Sequence, residues 1–346
     1  MGKIWALMNT MLGKKNGVAS LDENERNAQE PKFHASEHRG NGADPLTPVM
    51  IGAKPNKNLL RNVYFVNPVN QRGQTEYSVS GVTIDGWKIV HKTAAVTLGE
   101  DGIVFTDSTP GYLSWSQRLE DHPREYIGRQ LTLSCLVSDV VGTARLYLIF
   151  SDDNENRVYV NFSQPGLHTI TATVPENAEY LRVAFSTRSG FESATIKAVK
   201  LEVGDTQTLA HQENSGAWVL NEIPDYAEEL RRCQRYFFKL EACGETAIAP
   251  VIVYKNNTEA EVLLNLPVTM RVTPTVVDYG GSEDAFYASV IDGDGSAIYP
   301  CTFAGVTGFC ENGVFLSLNL GSTPDKTSSG LLMADDGGKF ALDAEL

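Results

Sequence analysis

Apolar residues recur at every second position through the middle of this chain, and that period constrains the fold more than any other feature. Leu131, Leu133, Cys135 and Val137 alternate with polar residues. Leu146, Leu148 and Phe150 do the same, as do Val158, Val160 and Phe162, then Leu181, Val183 and Phe185. A period of two puts each set on one face of a sheet, so four half-buried strands are predicted. Gly142-Thr143, Asp152 to Asn156, Gln164-Pro165-Gly166 and Pro175-Glu176-Asn177 supply the turns between them. Further on, Ile196 and Ala198 share one phase while Val199, Leu201 and Val203 share the other, a slip that a β-bulge produces.

The expected fold class is therefore mainly β. Residues 59–205 read as a β-sandwich, and residues 206–346 as a second, smaller β domain preceded by a short helix between Pro224 and Tyr236. That helix has acidic residues at its start and Arg231, Arg232 and Arg235 at its end, read as a solvated face. Gly280-Gly281, Asp292-Gly293-Asp294-Gly295, Asn312-Gly313 and Gly337-Gly338 mark tight turns in the last region. Residues 1–58 are different. Ile4, Leu7, Met8, Met11 and Leu12 form an apolar stripe at helical spacing, too short and interrupted for a leader peptide, and the stretch after it has the composition of an extended linker. An isolated helix with such a stripe needs a partner surface.

Charge narrows the partners. The chain holds 29 Lys plus Arg against 43 Asp plus Glu, a formal charge of −14, so nucleic acid and membrane insertion are not expected. Cys135, Cys233, Cys243, Cys301 and Cys310 lack metal-ligand spacing and read as buried thiols of a chain folded in a reducing compartment, with Cys301 and Cys310 placed to face one another across a hairpin.

Two N-terminal segments carry a resemblance. Leu12-Gly13-Lys14-Lys15-Asn16-Gly17-Val18-Ala19-Ser20-Leu21-Asp22 is similar to linker segments of bacteriophage tail fibres, and the run from His34 to Pro48, with His38, Gly40, Gly42 and Asp44-Pro45-Leu46-Thr47, resembles their collar segment. Asn58-Leu59-Leu60-Arg61-Asn62, opening a sandwich that closes near Ile196 to Gly204, is similar to jelly-roll-like carbohydrate-binding modules. Tyr226 to Phe237, followed by Met270-Arg271-Val272-Thr273-Pro274-Thr275, resembles a signature found after such modules in prophage tail proteins. Asn41 departs from the usual collar glycine, and Glu23 to Glu30 is more charged than usual.

The resemblance implies a non-enzymatic fibre protein of a virion, assembled in the host cytoplasm. It would be a homotrimer, attached to other virion proteins of tail, baseplate or capsid through its N-terminus, with the β domains meeting a host-surface carbohydrate. A head fibre or decoration protein without a ligand is the alternative, and a glycan depolymerase a third reading. Sugars are held by aromatic faces with amide and carboxylate hydrogen bonds, which selects Trp115, Tyr112, Gln117 and Asp107 as candidate ligand-binding residues. Ile4, Leu7, Met8, Met11 and Leu12 are the candidate virion anchor. No catalytic motif and no cofactor are expected. His34, His38 and Asp44 read as a turn rather than a metal site, and Asp292 to Ser296 as a hairpin turn rather than a calcium loop, because its twelfth position is Phe303.

Overall fold

A computed structural model of the chain describes residues 55–346 apart from 121–122, 153–155, 255–256, 279–284, 293–294, 337 and 346. The expected N-terminal helix with Ile4, Leu7, Met8, Met11 and Leu12, the expected linker up to residue 54, and His34, His38 and Asp44 lie outside these residues, as does Asp294. Residues Asn56–Leu346 form one compact unit. It is built almost wholly of antiparallel strands, with one α-helix and one 3₁₀ turn among the described residues.

Two six-stranded sheets make the sandwich. In the first, the spatial order is Glu76–Tyr77, Ala94–Gly99, Gly102–Asp107, Ser193–Val203, Gln130–Val141 and Gly166–Thr173. In the second it is Gly81–Val82, Lys88–Ile89, Leu113–Arg118, Arg182–Thr187, Ala144–Ile149 and Arg157–Phe162. The four strands read from alternation are all present, and their apolar phase points inward: Leu131, Leu133, Leu146, Leu148, Phe162, Val183 and Phe185 share one core. At its centre Trp87 and Trp115 stack at 4.5 Å, with Phe65, Phe105 and Phe185 around them.

The predicted bulge is there, but it separates Ile196 from Ala198, whose spacing predicts one shared phase. Ile196 pairs with Val137 but Ala198 with Leu136, so the register slips across Lys197. Ile196 faces the central core before the slip and Val199 and Leu201 face it after. Ala198 is thereby turned to the outer side, where Leu136, Leu209 and Ala210 cover it.

The remainder holds the helix α1 (Tyr226–Gln234), a three-stranded sheet of Phe237–Glu241, Lys339–Asp343 and Thr275–Asp278, and a closed barrel. Around the barrel run Thr246–Val253, Glu259–Asn265, Gly313–Leu320, Gly295–Cys310, Phe286–Asp292 and Ser328–Ala334. Closure leaves no free sheet edge, and alternation fills the interior with Val251, Val262, Leu264, Leu316, Leu318 and Leu332. Asp225 caps α1 by accepting from the Glu228 amide at 2.9 Å. Of the arginines read as a solvated face, Arg231 and Arg235 are exposed, Arg235 pairing with Glu120, whereas Arg232 turns in to bond Glu229 and the Leu60 carbonyl.

Two cysteine expectations are corrected. Cys301 and Cys310 lie on the same strand, Gly295–Cys310, opposite Leu320 and Gly313, because the hairpin turns after Cys310 rather than between the two. Cys243 and Cys310 are exposed, while Cys135, Cys233 and Cys301 are buried, and all five are free thiols. The Asp292 hairpin is closed by the pair Asp292 and Gly295.

Candidate functional site: a tyrosine and arginine face on the sandwich

Three of the four residues selected from sequence for ligand binding are interior. Trp115 is 0% exposed, with its indole N–H donating to Thr83 Oγ1 at 3.0 Å. Gln117 is pinned to the Arg61 backbone, accepting from its amide at 2.9 Å and donating to its carbonyl at 2.8 Å. Asp107 is buried beneath hydroxyl donors from Thr93 and Ser114 and accepts from the Thr109 amide. Their expected exposure is overturned for a simple reason: Trp115 and Gln117 occupy the inward phase of Leu113–Arg118, and Asp107 closes a loop. Tyr112 alone is open, 57% exposed, and stacks on the His91 ring at 4.5 Å.

The outward phase of the same sheet carries different chemistry. Cross-strand register aligns Arg157, Ile149, Arg182 and Arg118 in one row. The next row is Tyr159, Tyr147, Ala184, Ser116 and Lys88, and a third holds Asn161, Arg145 and Ser186. Apart from the buried Ile149 and Ala184, each of these is a polar or aromatic residue on the strand phase opposite the central core. The turn after Pro175 adds Tyr180, whose amide bonds the Phe150 carbonyl at 3.1 Å and brings the ring to the edge of this face.

Guanidinium groups lie over the rings. Arg118 and Arg182 sit 4.4 and 4.9 Å from the Tyr180 centroid. Arg145 is 4.3 Å from Tyr159 and Arg157 is 5.4 Å from Tyr147, while the Tyr147 and Tyr159 rings meet at 5.2 Å. Stacking of this kind holds the cation in place and leaves the edge of its N–H fork available. Arg145 also donates to Tyr147 Oη at 2.9 Å and to Asn161 Oδ1 at 2.8 Å. Tyr180 donates to Asp152, and burial together with that bond pushes its hydroxyl up to about 12, so it stays a donor.

Tyr147 and Tyr180 are buried under these neighbours, whereas Tyr159 is 45% exposed, and Arg118 and Lys88 are exposed. Beside Arg118, Arg182, Lys88 and Ser116 the surface dips into a cleft of about 240 Å³ floored by Trp87, Arg61 and Glu345. The Glu345 charge there is already met by Arg61 at 3.4 Å and Arg72 at 3.7 Å. A face of this make-up offers ring surface for the C–H side of a sugar and fixed donors for its oxygens. Among the described residues no cluster of three His, Cys, Asp or Glu is arranged to hold a metal ion.

Sequence reasoning missed Tyr147, Tyr159, Tyr180, Arg145, Arg157 and Arg182. A signal was present, since the phase opposite the apolar one in Ala144–Ile149 and Arg157–Phe162 reads Arg-Tyr-Ile and Arg-Tyr-Asn.

No protein-family model matches this chain, and no curated protein matches its sequence. Solved structures similar to it include the N-terminal CBM22-1-CBM22-2 tandem domain of Paenibacillus barcinonensis Xyn10C, at 10% identity and a TM-score of 0.28, covering 84% of this chain and 97% of that one. The adhesin domain of Epf from Streptococcus pyogenes is another, at 11% identity and a TM-score of 0.26, covering 82% and 98%. A structure of accessory secretory protein 1, 2 and 3 of Streptococcus pneumoniae matches at 14% identity and a TM-score of 0.26, covering 37% and 97%. Function has to be read from this chain's own residues.

Proposed function

We propose that the chain is a non-enzymatic adhesion protein whose sandwich takes a glycan on the tyrosine and arginine face. The observation that carries this reading is the exposed Tyr159 ring set among guanidinium donors that are held in place on the buried Tyr147 and Tyr180 rings and on Tyr159 itself. Glycoside hydrolysis calls for a pair of carboxyl groups flanking the bond, and the strand positions of this face supply none, which favours binding over cleavage there. Tyr112, on its own edge of the sandwich, is an accessory contact at most.

Sites that stack one or two sugars bind at roughly 0.1 to 1 mM, so usable affinity calls for several copies. The resemblance of residues 12–22 and 34–48 to phage fibres supports a homotrimer on a virion, joined to other virion proteins through Ile4, Leu7, Met8, Met11 and Leu12. The barrel offers support of its own. Pro250, Leu331, Ser289 and Ile298 align across one outer wall, and Leu331 and Ile298 stay exposed beside the more open Ile291. Such a wall suits a second copy of the chain, and three copies would raise avidity by on the order of 10² to 10⁴.

A glycan array probed with the intact chain tests the binding reading, with Tyr159→Ala as the matched control. Retention that Tyr159→Ala weakens at unchanged melting temperature supports it, and a blank array leaves the ligand-free decoration role. Native mass measurement at micromolar concentration tests the trimer, with Leu331→Asp plus Ile298→Asp expected to give monomer. Deletion of residues 1–12 is expected to leave a folded chain that no longer joins particles, and normal incorporation would refute the anchor.

A further inference from the structure

The tyrosine and arginine face runs against the charge of the chain that carries it. Acidic residues outnumber basic ones by 43 to 29 overall. Yet register gathers Lys88, Arg118, Arg182, Arg145 and Arg157 on one sheet surface whose strand positions hold no Asp or Glu. None of these four arginines is ion-paired with a described carboxylate. Rings hold them instead, at 4.3 to 5.4 Å. Asp152 stands at the rim, engaged by the Tyr180 hydroxyl.

Cations gathered together repel one another, so an arrangement of this kind is stabilised when an anion arrives. A guanidinium already stacked on a ring loses little freedom on binding, and its planar fork matches the two oxygens of a carboxylate or two of a sulfate. The cleft bordered by Lys88, Arg118 and Arg182 gives such a group a place beside the sugar ring, and the one carboxylate on its floor, Glu345, is neutralised by Arg61 and Arg72. In the third row of the face the Ser186 hydroxyl is buried without a hydrogen-bond partner, in register with Arg145. We infer that the glycan is acidic, a polysaccharide whose repeating unit bears a carboxylate or a sulfate; this rests on the glycan-binding reading above. A nucleic acid duplex carries charge of the same sign, but its footprint extends past this face onto a chain of net charge −14, which repels it.

The test uses the full-length chain and probes that differ in charge alone. Polygalacturonate is compared with its methyl ester, dextran sulfate with dextran, and duplex DNA serves as a polyanion that is not a glycan. At about 20 mM salt the charged glycans are expected to bind at least about tenfold more tightly than their neutral counterparts, with most of that margin lost at about 200 mM. The stronger of the two charged probes identifies the anion. Arg118→Gln and Arg182→Gln should each weaken it about tenfold, and Arg118→Lys should restore only part, because a point charge lacks the fork. Arg118 is exposed, so its variants are expected to melt with the parent and carry the test if Arg182→Gln folds poorly. Equal binding of the methyl ester and dextran would overturn the acidic specificity and leave glycan binding standing. Binding of no glycan would remove both, and DNA held as tightly as polygalacturonate would also sink the inference, by showing a surface that reads charge without sugar.

Discussion

The guanidinium of Arg61 lies 3.5 Å from the centroid of the Tyr236 ring, joining the segment that precedes the first strand of the sandwich to the chain just past α1. Around it Glu229 accepts from the Asn62 amide, Arg232 donates to the Leu60 carbonyl at 2.7 Å, and Arg72 covers Phe237 at 3.8 Å. Two sequence motifs about 170 residues apart are thereby one structural joint, and the sandwich and the barrel end share it.

Arg61 also pairs with Glu345 at 3.4 Å, both nearly excluded from solvent. Removing Arg61 leaves the buried Glu345 charge with Arg72 alone, at 3.7 Å, and uncovers the Tyr236 ring. Arg61→Ala is expected to cost about 3 to 5 kcal/mol in urea unfolding, and Arg61→Ala with Glu345→Gln less than the sum of the single changes. Strict additivity would show that the pair is not coupled.

Trp115→Ala is expected to act on folding before it acts on any ligand. The indole fills the centre of the core against Trp87 and donates to Thr83, so truncation should cost about 3 to 5 kcal/mol. Thermal melting of the variant checks this, and an unchanged midpoint would mean that the ring contributes little to packing.

Asp85 links stability to pH. Burial first of all, with Glu345 adding to it against the pull of Gln71 and Arg72, pushes its carboxyl from 3.8 up to about 7. Between those values the folded chain keeps a proton that the unfolded chain has released, so stability from this group, complete near pH 4, is lost as the pH rises toward about 7. Asp85→Asn cannot titrate. Its melting deficit relative to the parent should be greatest near pH 4 and shrink by about pH 8. A deficit that grows with pH would reverse the sign and place a stabilised carboxylate there.

Gly330 permits the barrel to close. A Cβ at this position would lie 2.1 Å from the Ser289 carbonyl oxygen and 2.8 Å from the Val290 side chain, on the paired strands Phe286–Asp292 and Ser328–Ala334. Gly330→Ala should therefore destabilise by about 2 kcal/mol or more, seen as loss of hydrogen-exchange protection in those two strands first. Wild-type protection would show that the strands shift at little cost.

Alkylation of the native chain should label Cys243 and Cys310 and spare Cys135, Cys233 and Cys301. Burial protects the latter three and also raises their thiols, Cys301 up to about 12, which keeps them from forming the reactive thiolate. Intact mass after iodoacetamide treatment at about pH 8 reads the outcome, and label on Cys233 would mean that the joint around α1 opens.

What the sequence determined by itself was everything that depends on neighbours along the strand. Leu131, Leu133, Val183 and Phe185 declared an inward phase, Ile196 and Val199 declared a bulge between them, and the helix after Pro224 could be read from acidic residues at its start and arginines at its end, because the helix dipole acts within a turn. Pairing across the sheet was not written in any local pattern. Only the tertiary structure decided that Tyr159 stands beside Tyr147, that Arg118 and Arg182 converge on Tyr180, and that Trp115 and Gln117 turn inward while Arg118 on the same strand turns out. An aromatic residue buries its ring or stacks it on a ligand with the same side chain, and strand register, set by contacts far apart in sequence, selects between the two.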